Sequence, residues 1–224
     1  MELTAMAQWL NTAFAGYDQA LLGALHKLAE AAGGFLTPLM KLITLLGEKG
    51  LLLLILGLGL MCFSRTRKIG VCVFGAVCCG ALITNIILKD AVARPRPFET
   101  LELYKQWWAA VGSPAEDSFS FPSGHVTAAA AGMTALSLTK GKKLILPSVL
   151  VVVLMGISRN YLMAHYPSDV LFAILIGLAS GFIAYGITLL IFRFLEEHDD
   201  LPFCAFLLDV DVPALLKPRY RGKH

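Results

Sequence analysis

The chain has 224 residues, of which 57% are hydrophobic and only 16% charged, and its formal net charge is +3. With a mean hydropathy of +0.69, it is too apolar for an ordinary soluble domain of this length. Its basic residues sit in short clusters beside apolar stretches, which gives nucleic-acid binding little support and is explained better by membrane topology.

A bilayer core about 30 Å thick takes about 20 apolar residues of helix to cross, and residues 1–46 do not supply such a run cleanly. Leu21, Leu22, Leu25 and Leu28 recur at helical spacing, but Asp18, His26, Lys27 and Glu30 interrupt them. That is the pattern of an amphipathic helix lying in the interface. After Gly33 and Gly34 the pattern repeats over residues 35–46, with Lys41 as its main charge. Met1 and Glu2 lead into neither a basic n-region nor a long apolar core, so internal helices are expected to direct insertion rather than a cleaved signal peptide.

Five spans are predicted after this segment. Residues 50–63 are almost unbroken Leu, Ile and Gly; residues 69–88 carry no charge and only Asn85 as a strongly polar side chain. Residues 123–139 follow a proline and run through Ala, Thr and Met; residues 144–162 and 169–192 complete the set. The predicted fold is therefore all-α, a polytopic transmembrane bundle of five spans, or six if the N-terminal segment also crosses. Its divisions are an amphipathic N-terminal region at 1–46, a membrane domain at 47–193 and a cytoplasmic tail at 194–224. The patch at 204–208 in that tail is expected either to dock on the membrane or to pack locally. Cys62, Cys72, Cys78, Cys79 and Cys204 lack the spacing of a zinc or disulfide framework and read as small hydrophobes.

Orientation follows from the short loops. Arg65, Arg67 and Lys68 separate the first two predicted spans, and Lys140, Lys142 and Lys143 separate the third and fourth, so both loops are assigned to the cytoplasmic side. Arg193 and the terminal Lys217, Arg219, Arg221 and Lys223 agree with a cytoplasmic tail. The long connection at 90–122 carries Glu99, Glu102, Glu116, Asp117, Trp107 and Trp108, as suits an outward loop with indoles at the interface.

On this map the unusual polar residues gather at the outer face. Lys89 and Arg96 follow the second span, His125 opens the third, Arg159 nears the end of the fourth, and His165 and Asp169 stand where the fourth turns into the fifth. Ionisable residues at such positions are costly and tend to be functional, although snorkelling would explain Lys89 alone. Lys89, Arg94, Arg96 and Arg159 beside two histidines, with Asp169 as the one nearby acid, repel one another unless an anion completes the group. Clustered arginines suit phosphate. Ser123 can cap the third span and leave backbone N–H groups for an anion, with Gly124 allowing close approach; an ordinary helix cap is the plainer alternative. Asp169 can hold one nitrogen of His165 and leave the other free to attack.

Three blocks stand in order: Lys89, six residues, Arg96-Pro97; then Pro122-Ser123-Gly124-His125; then Ser158-Arg159, five residues, His165, three residues, Asp169. Together they closely resemble the signature of the type-2 phosphatidate phosphatase and vanadium haloperoxidase superfamily, in its membrane lipid-phosphatase branch. The resemblance covers the region from the first to the fifth predicted span. It implies a helical bundle, a phosphohistidine intermediate and no metal or other cofactor. Residue by residue it implies Lys89, Arg96 and Arg159 as oxyanion ligands assisted by Ser123 and the Gly124 amide. It further implies His125 as general acid, His165 as nucleophile and Asp169 as its partner. Arg94 falls outside the pattern and is assigned to the entrance or interface.

The expected activity is removal of phosphate from a lipid headgroup on the non-cytoplasmic side of the plasma membrane. Phosphatidate, phosphatidylglycerol phosphate, sphingoid phosphates and polyprenyl diphosphates all fit, and oligomeric state is left open. The alternatives are a vanadate-dependent haloperoxidase, a non-catalytic lipid-phosphate binding or transport protein, and a zinc hydrolase using His125, His165 and Asp169 as ligands. Nearby cations disfavour the last by repelling a metal ion.

Overall fold

A computed structural model describes residues 3–212 as eleven α-helices with no strand. They are α1 (Ala5–Ala13), α2 (Ala15–Leu46), α3 (Leu51–Met61), α4 (Arg67–Ala81), α5 (Lys89–Val92), α6 (Pro97–Thr100), α7 (Glu102–Ala110), α8 (Gly124–Lys140), α9 (Ile145–Tyr161), α10 (Pro167–Glu197) and α11 (Pro202–Asp209). A π-helical stretch, Leu82–Leu88, joins α4 to α5. The predicted spans at 50–63, 69–88, 123–139, 144–162 and 169–192 thus match α3, α4 with its π stretch, α8, α9 and α10 to within a few residues.

Four stretches of the described chain are long and apolar enough to cross a membrane: Ala15–Met61, Arg67–Thr100, Lys142–Tyr161 and Pro167–Glu197. The helix α8 is absent from this set because it is only 17 residues long and rich in Ala, Thr and Gly. It is the central helix, with Val126 through Gly132 buried without a break. Between helices in a bilayer the attraction is close packing rather than exclusion from water, and small residues permit it. A Cβ on Gly177 of α10 would lie 2.5 Å from Ala130 Cβ, and one on Gly181 2.6 Å from Thr134 Cβ. Only glycine lets α10 approach α8 this closely. On the other side of α8, Cys72, Val73 and Ala76 of α4 pack with Ala131, Ala135 and Ala184.

The N-terminal region differs from two separate amphipathic segments. Residues 15–46 form one helix, bent where Ala32 leaves helical geometry at φ −137° and ψ 18°. Lengthwise it lies on α9: Thr37 Oγ1 is 2.8 Å from the Tyr161 hydroxyl, and Ser158 Oγ donates to the Met40 carbonyl at 2.7 Å. The 46/47 boundary falls at the end of α2, just before a tight turn, Glu48–Gly50, which leads straight into α3.

The 90–122 connection also has more structure than a plain loop. Its helix α7 presents Trp107 to α2, where the indole stacks on His26 with centroids 4.5 Å apart. Trp108 stacks on Phe98 at 4.5 Å. At the opposite end of the bundle, Arg67 is buried rather than free in its loop, because its guanidinium donates to the Leu207, Leu208 and Val210 carbonyls of the tail. Cys204 is buried there as well, while Phe206 of the 204–208 patch is exposed. Lys217, Arg219, Arg221 and Lys223 lie outside the described residues.

Candidate active site

The first turns of α5 and α8, the connection between them, the connection before α10 and the α2–α3 turn surround one cavity of about 520 Å³; Ser123, Arg159 and Asp169 lie behind its lining. It is lined by Lys89, Arg96, Gly124, His125 and His165, all singled out in the sequence. Glu48, Lys49, Asn85, Glu116 and Asp117 line it too. Both imidazoles face the same space.

The cations are held by the backbone around them. Arg96 is 1% exposed; its Nε donates to the Ser118 carbonyl at 2.7 Å and its Nη1 to the Ala164 carbonyl at 2.6 Å. Lys89 Nζ reaches Ser118 Oγ at 2.5 Å. Arg159, in the last turn of α9, is also 1% exposed. Arg96 and Arg159 converge on one carboxylate, that of Glu116: Arg96 Nη2 lies 2.9 Å from Oε2, and Arg159 Nη2 pairs with Oε1. Thus Asp169 is not the one acid near the cluster. Burial pushes the Glu116 carboxyl upward in pKa, but the guanidiniums of Arg159 and Arg96 outweigh it and hold the group below the usual carboxylate range.

Two buried polar atoms in this region have no hydrogen-bond partner among the described residues, Ser123 Oγ and Arg159 Nε. Ser123 is the N-cap of α8 by position, yet its hydroxyl makes no capping bond. Orphaned buried polar atoms are uncommon and call for an explanation.

His165 sits in the short connection between α9 and α10. Its Nδ1 is 2.6 Å from the Ser120 carbonyl and 3.9 Å from Asp169 Oδ2. The backbone oxygen of Ser120, rather than the carboxylate expected from the sequence, is therefore the direct partner. It fixes Nδ1 as the donor and leaves Nε2 with the lone pair. Burial, then the charges of Arg96 and Arg159, hold the His165 pKa well below the ordinary histidine value, so the ring is neutral at neutral pH.

Asp169 acts one step away. Its Oδ2 accepts from Ser120 Oγ at 2.5 Å and from the Tyr166 amide at 2.9 Å, and its Oδ1 accepts from Arg94 Nη1 at 2.6 Å. It thereby locks the residue whose carbonyl orients His165. Arg94 is not an entrance residue. It is 1% exposed, and it bridges Asp169 to Asp18 of α2, with Nη2 2.9 Å from Asp18 Oδ2. Its plane also lies over the Tyr166 ring at 3.8 Å, a favourable cation–π arrangement. Asp18 in turn accepts from the Ser168 amide at 2.8 Å and its hydroxyl at 2.7 Å.

His125, in the first turn of α8, has its Nε2 3.1 Å from Glu48 Oε2. Sequence reasoning passed over Glu48, Glu116, Ser120 and Asp18, since none belongs to a motif block. Among the described residues no three His, Cys, Asp or Glu side chains are grouped to hold a metal ion. Asp169 has both oxygens committed to Arg94, Ser120 and Tyr166, so His125, His165 and Asp169 do not form a ligand set.

Comparison with known proteins bears on this arrangement. Residues 70–193 match the PAP2 superfamily. Phosphatidylglycerophosphatase B of Bacillus subtilis is 31% identical over 178 residues, 73% of this chain and 80% of that protein. An undecaprenyl-diphosphatase of Sulfolobus acidocaldarius is 30% identical over 57% of this chain, and the match spans 59% of its own length. A crystal structure of a transmembrane PAP2-type phosphatidylglycerolphosphate phosphatase from Bacillus subtilis superposes with a TM-score of 0.63 at 28% identity, covering 81% of this chain and 90% of that one. The chain belongs to the PAP2 superfamily and is one of its integral-membrane phosphatases.

Proposed function

We propose that this phosphatase cleaves a phosphate monoester or diphosphate from a lipid headgroup through a phosphohistidine intermediate on His165, without a metal. The observation that carries the reading is the convergence of Arg96 and Arg159 on one anionic group beside both histidines. Phosphoryl transfer asks chiefly for positioning and for charge on the equatorial oxygens to be matched. Arg96, Arg159 and Lys89 supply that charge, with Ser123 Oγ and the Gly124 amide as further donors.

His165 Nε2 attacks phosphorus in line, and His125 gives a proton to the departing oxygen. Water then releases phosphate, with His125 taking the proton back. Asp169 holds Ser120 and so holds His165. Phosphatidylglycerol phosphate and undecaprenyl diphosphate, named for the relatives, are the first substrates to test, with phosphatidate beside them.

With five spans, or six if α2 crosses, the cavity lies at the end of the bundle away from the loops at 65–68 and 140–143. Their positive charge supports a site on the non-cytoplasmic face of the plasma membrane.

The deciding experiment measures phosphate release in detergent from these three lipids with no added metal and with chelator, for the wild type and His165→Ala. The expected result is chelator-insensitive release by the wild type, loss of turnover in His165→Ala, and acid-labile phosphoryl label on the wild type alone. Activity retained by His165→Ala would remove the nucleophile assignment. Halide oxidation with vanadate and peroxide, in place of inhibition by vanadate, would favour the haloperoxidase chemistry.

A further inference from the structure

Glu48 stands outside every motif block, in the turn that joins α2 to α3, yet its Oε2 lies 3.1 Å from His125 Nε2. The turn is firmly seated. Lys49 and Gly50 both adopt left-handed backbone, with φ of 49° and 69°. A Cβ on Gly50 would lie 2.8 Å from Ala128 Cβ, and one on Gly47 would overlap Met155 Cε. The turn therefore rests on α8 to one side and α9 to the other. Ala128 is three residues along α8 from His125, on the same helical face, so the surface that receives Gly50 also carries the histidine.

Several other charged or titratable groups line the cavity with His125: Lys49 from the same turn, Lys89 and Asp90 from α5, Arg96 before α6, Glu116 and Asp117 from the loop before α8, and His165 before α10; the charge of Arg159 on α9 acts on it as well. The cations repel an imidazolium. Glu116 is already paired with two of them. Glu48 is the carboxylate in hydrogen-bond contact with the ring, and with Nε2 turned to it, Nδ1 is the nitrogen left for substrate.

We propose that Glu48 is a positioning residue for the acid histidine: it accepts a hydrogen bond from His125 Nε2–H, fixes the ring with Nδ1 toward the cavity, and stabilises the imidazolium that protonates the leaving group. The proposal rests on the lipid-phosphatase reading above. In the first half-reaction the His165 Nε2–P bond forms and the P–O bond to the alcohol breaks, while the proton on His125 Nδ1 passes to the departing oxygen. In the second, a water oxygen bonds to phosphorus and the P–N bond breaks. The water proton goes to His125 Nδ1, restoring the imidazolium beside Glu48. No proton is transferred to Glu48 in either step.

The test compares Glu48→Gln and Glu48→Asp in the full-length protein in detergent on two substrates. Phosphatidate has an alkoxide leaving group that needs a proton; p-nitrophenyl phosphate has a phenolate that leaves without one. General acid catalysis contributes roughly 10²–10⁴-fold, so Glu48→Gln should lower kcat on phosphatidate on the order of 10- to 100-fold and change p-nitrophenyl phosphate hydrolysis less than about threefold. The alkaline limb of kcat on phosphatidate should move to lower pH, Glu48→Asp should recover part of the loss, and Glu48→Gln should add little in a His125→Ala background.

Equal slowing on both substrates, or an unmoved alkaline limb, would show a merely structural turn and overturn the proposal while leaving the phosphatase reading intact. A wild type that hydrolyses neither these two nor phosphatidylglycerol phosphate nor undecaprenyl diphosphate would overturn both.

Discussion

Arg94 ties Asp169 to the N-terminal helix, with one guanidinium nitrogen 2.6 Å from Asp169 Oδ1 and another 2.9 Å from Asp18 Oδ2. All three side chains are buried. Removing one partner of a buried ion pair leaves an uncompensated charge, which costs about 3–5 kcal/mol. Arg94→Ala should therefore lower the thermal midpoint in detergent and lower kcat, since Asp169 loses the group that holds Oδ1. Arg94→Lys should not restore either, because Nε meets Asn11, Nη1 meets Ser168 and Asp169, and Nη2 meets Asp18, all from one planar fork. An Arg94→Ala protein with wild-type midpoint and turnover would show that the bridge is dispensable.

Glu116 occupies the position where phosphoryl oxygens are expected, between Arg96 and Arg159. A substrate or inhibitor must take those guanidiniums from it. Glu116→Gln keeps the shape and removes the charge, so inhibition by vanadate should strengthen by about tenfold, the scale of one charge-assisted hydrogen bond at roughly 1.5–3 kcal/mol. The inhibition constant read on any hydrolysed substrate reports it. Weaker inhibition in Glu116→Gln would mean that the carboxylate helps to assemble the cup.

The spans were legible because length and apolarity are local properties, and Lys89, His125, Arg159 and His165 were legible as polar residues where those spans end. Glu48 and Glu116 were not, because each is an ordinary acid in a polar stretch whose place depends on the path of a turn or loop. Asp18 did leave a signal. It lies four residues before Leu22 on the apolar stripe of α2, and both are buried, so a carboxylate on that face needed a buried cation. Arg94, held between Ala93 and Pro95 in a non-helical stretch, was that partner. The Ser120 carbonyl at His165 lay beyond reach, since a backbone oxygen carries no sequence mark.

The depressed pKa of His165 links stability to pH. An unfolded chain titrates this histidine near about 6.5, whereas burial and the charges of Arg96 and Arg159 hold the folded group well below that. Between the two values the unfolded state binds a proton that the folded state does not, so stability rises with pH across the window and falls on acidification below roughly 6.5. Glu116 has the ordinary carboxylate behaviour. Its folded pKa is lowered, so its contribution is present above its unfolded value and lost as pH falls through the folded one. Thermal midpoints measured from pH 8 down to 5 should decline in the wild type and decline less in His165→Gln. Parallel curves for the two proteins would show that His165 is not the group responsible.

Arg67 opens α4 at the end of the bundle away from Lys89, and its bonds reach the tail and the end of α3. Its Nη1 donates to the Leu207 and Leu208 carbonyls at 2.6 and 2.9 Å, its Nη2 to the Val210 carbonyl, and its Nε to the Met61 carbonyl at 3.1 Å. The carbonyls at the end of α11 have no helical partners of their own, so one guanidinium satisfies them and pins α11 beneath α3 and α4. Arg67→Ala should loosen α11, and limited proteolysis should cleave within 198–212 several times faster than in the wild type. Phosphate release should be nearly unchanged, because the length of the bundle separates Arg67 from the cavity. A large loss of activity without faster cleavage would instead connect this end of the bundle to the site.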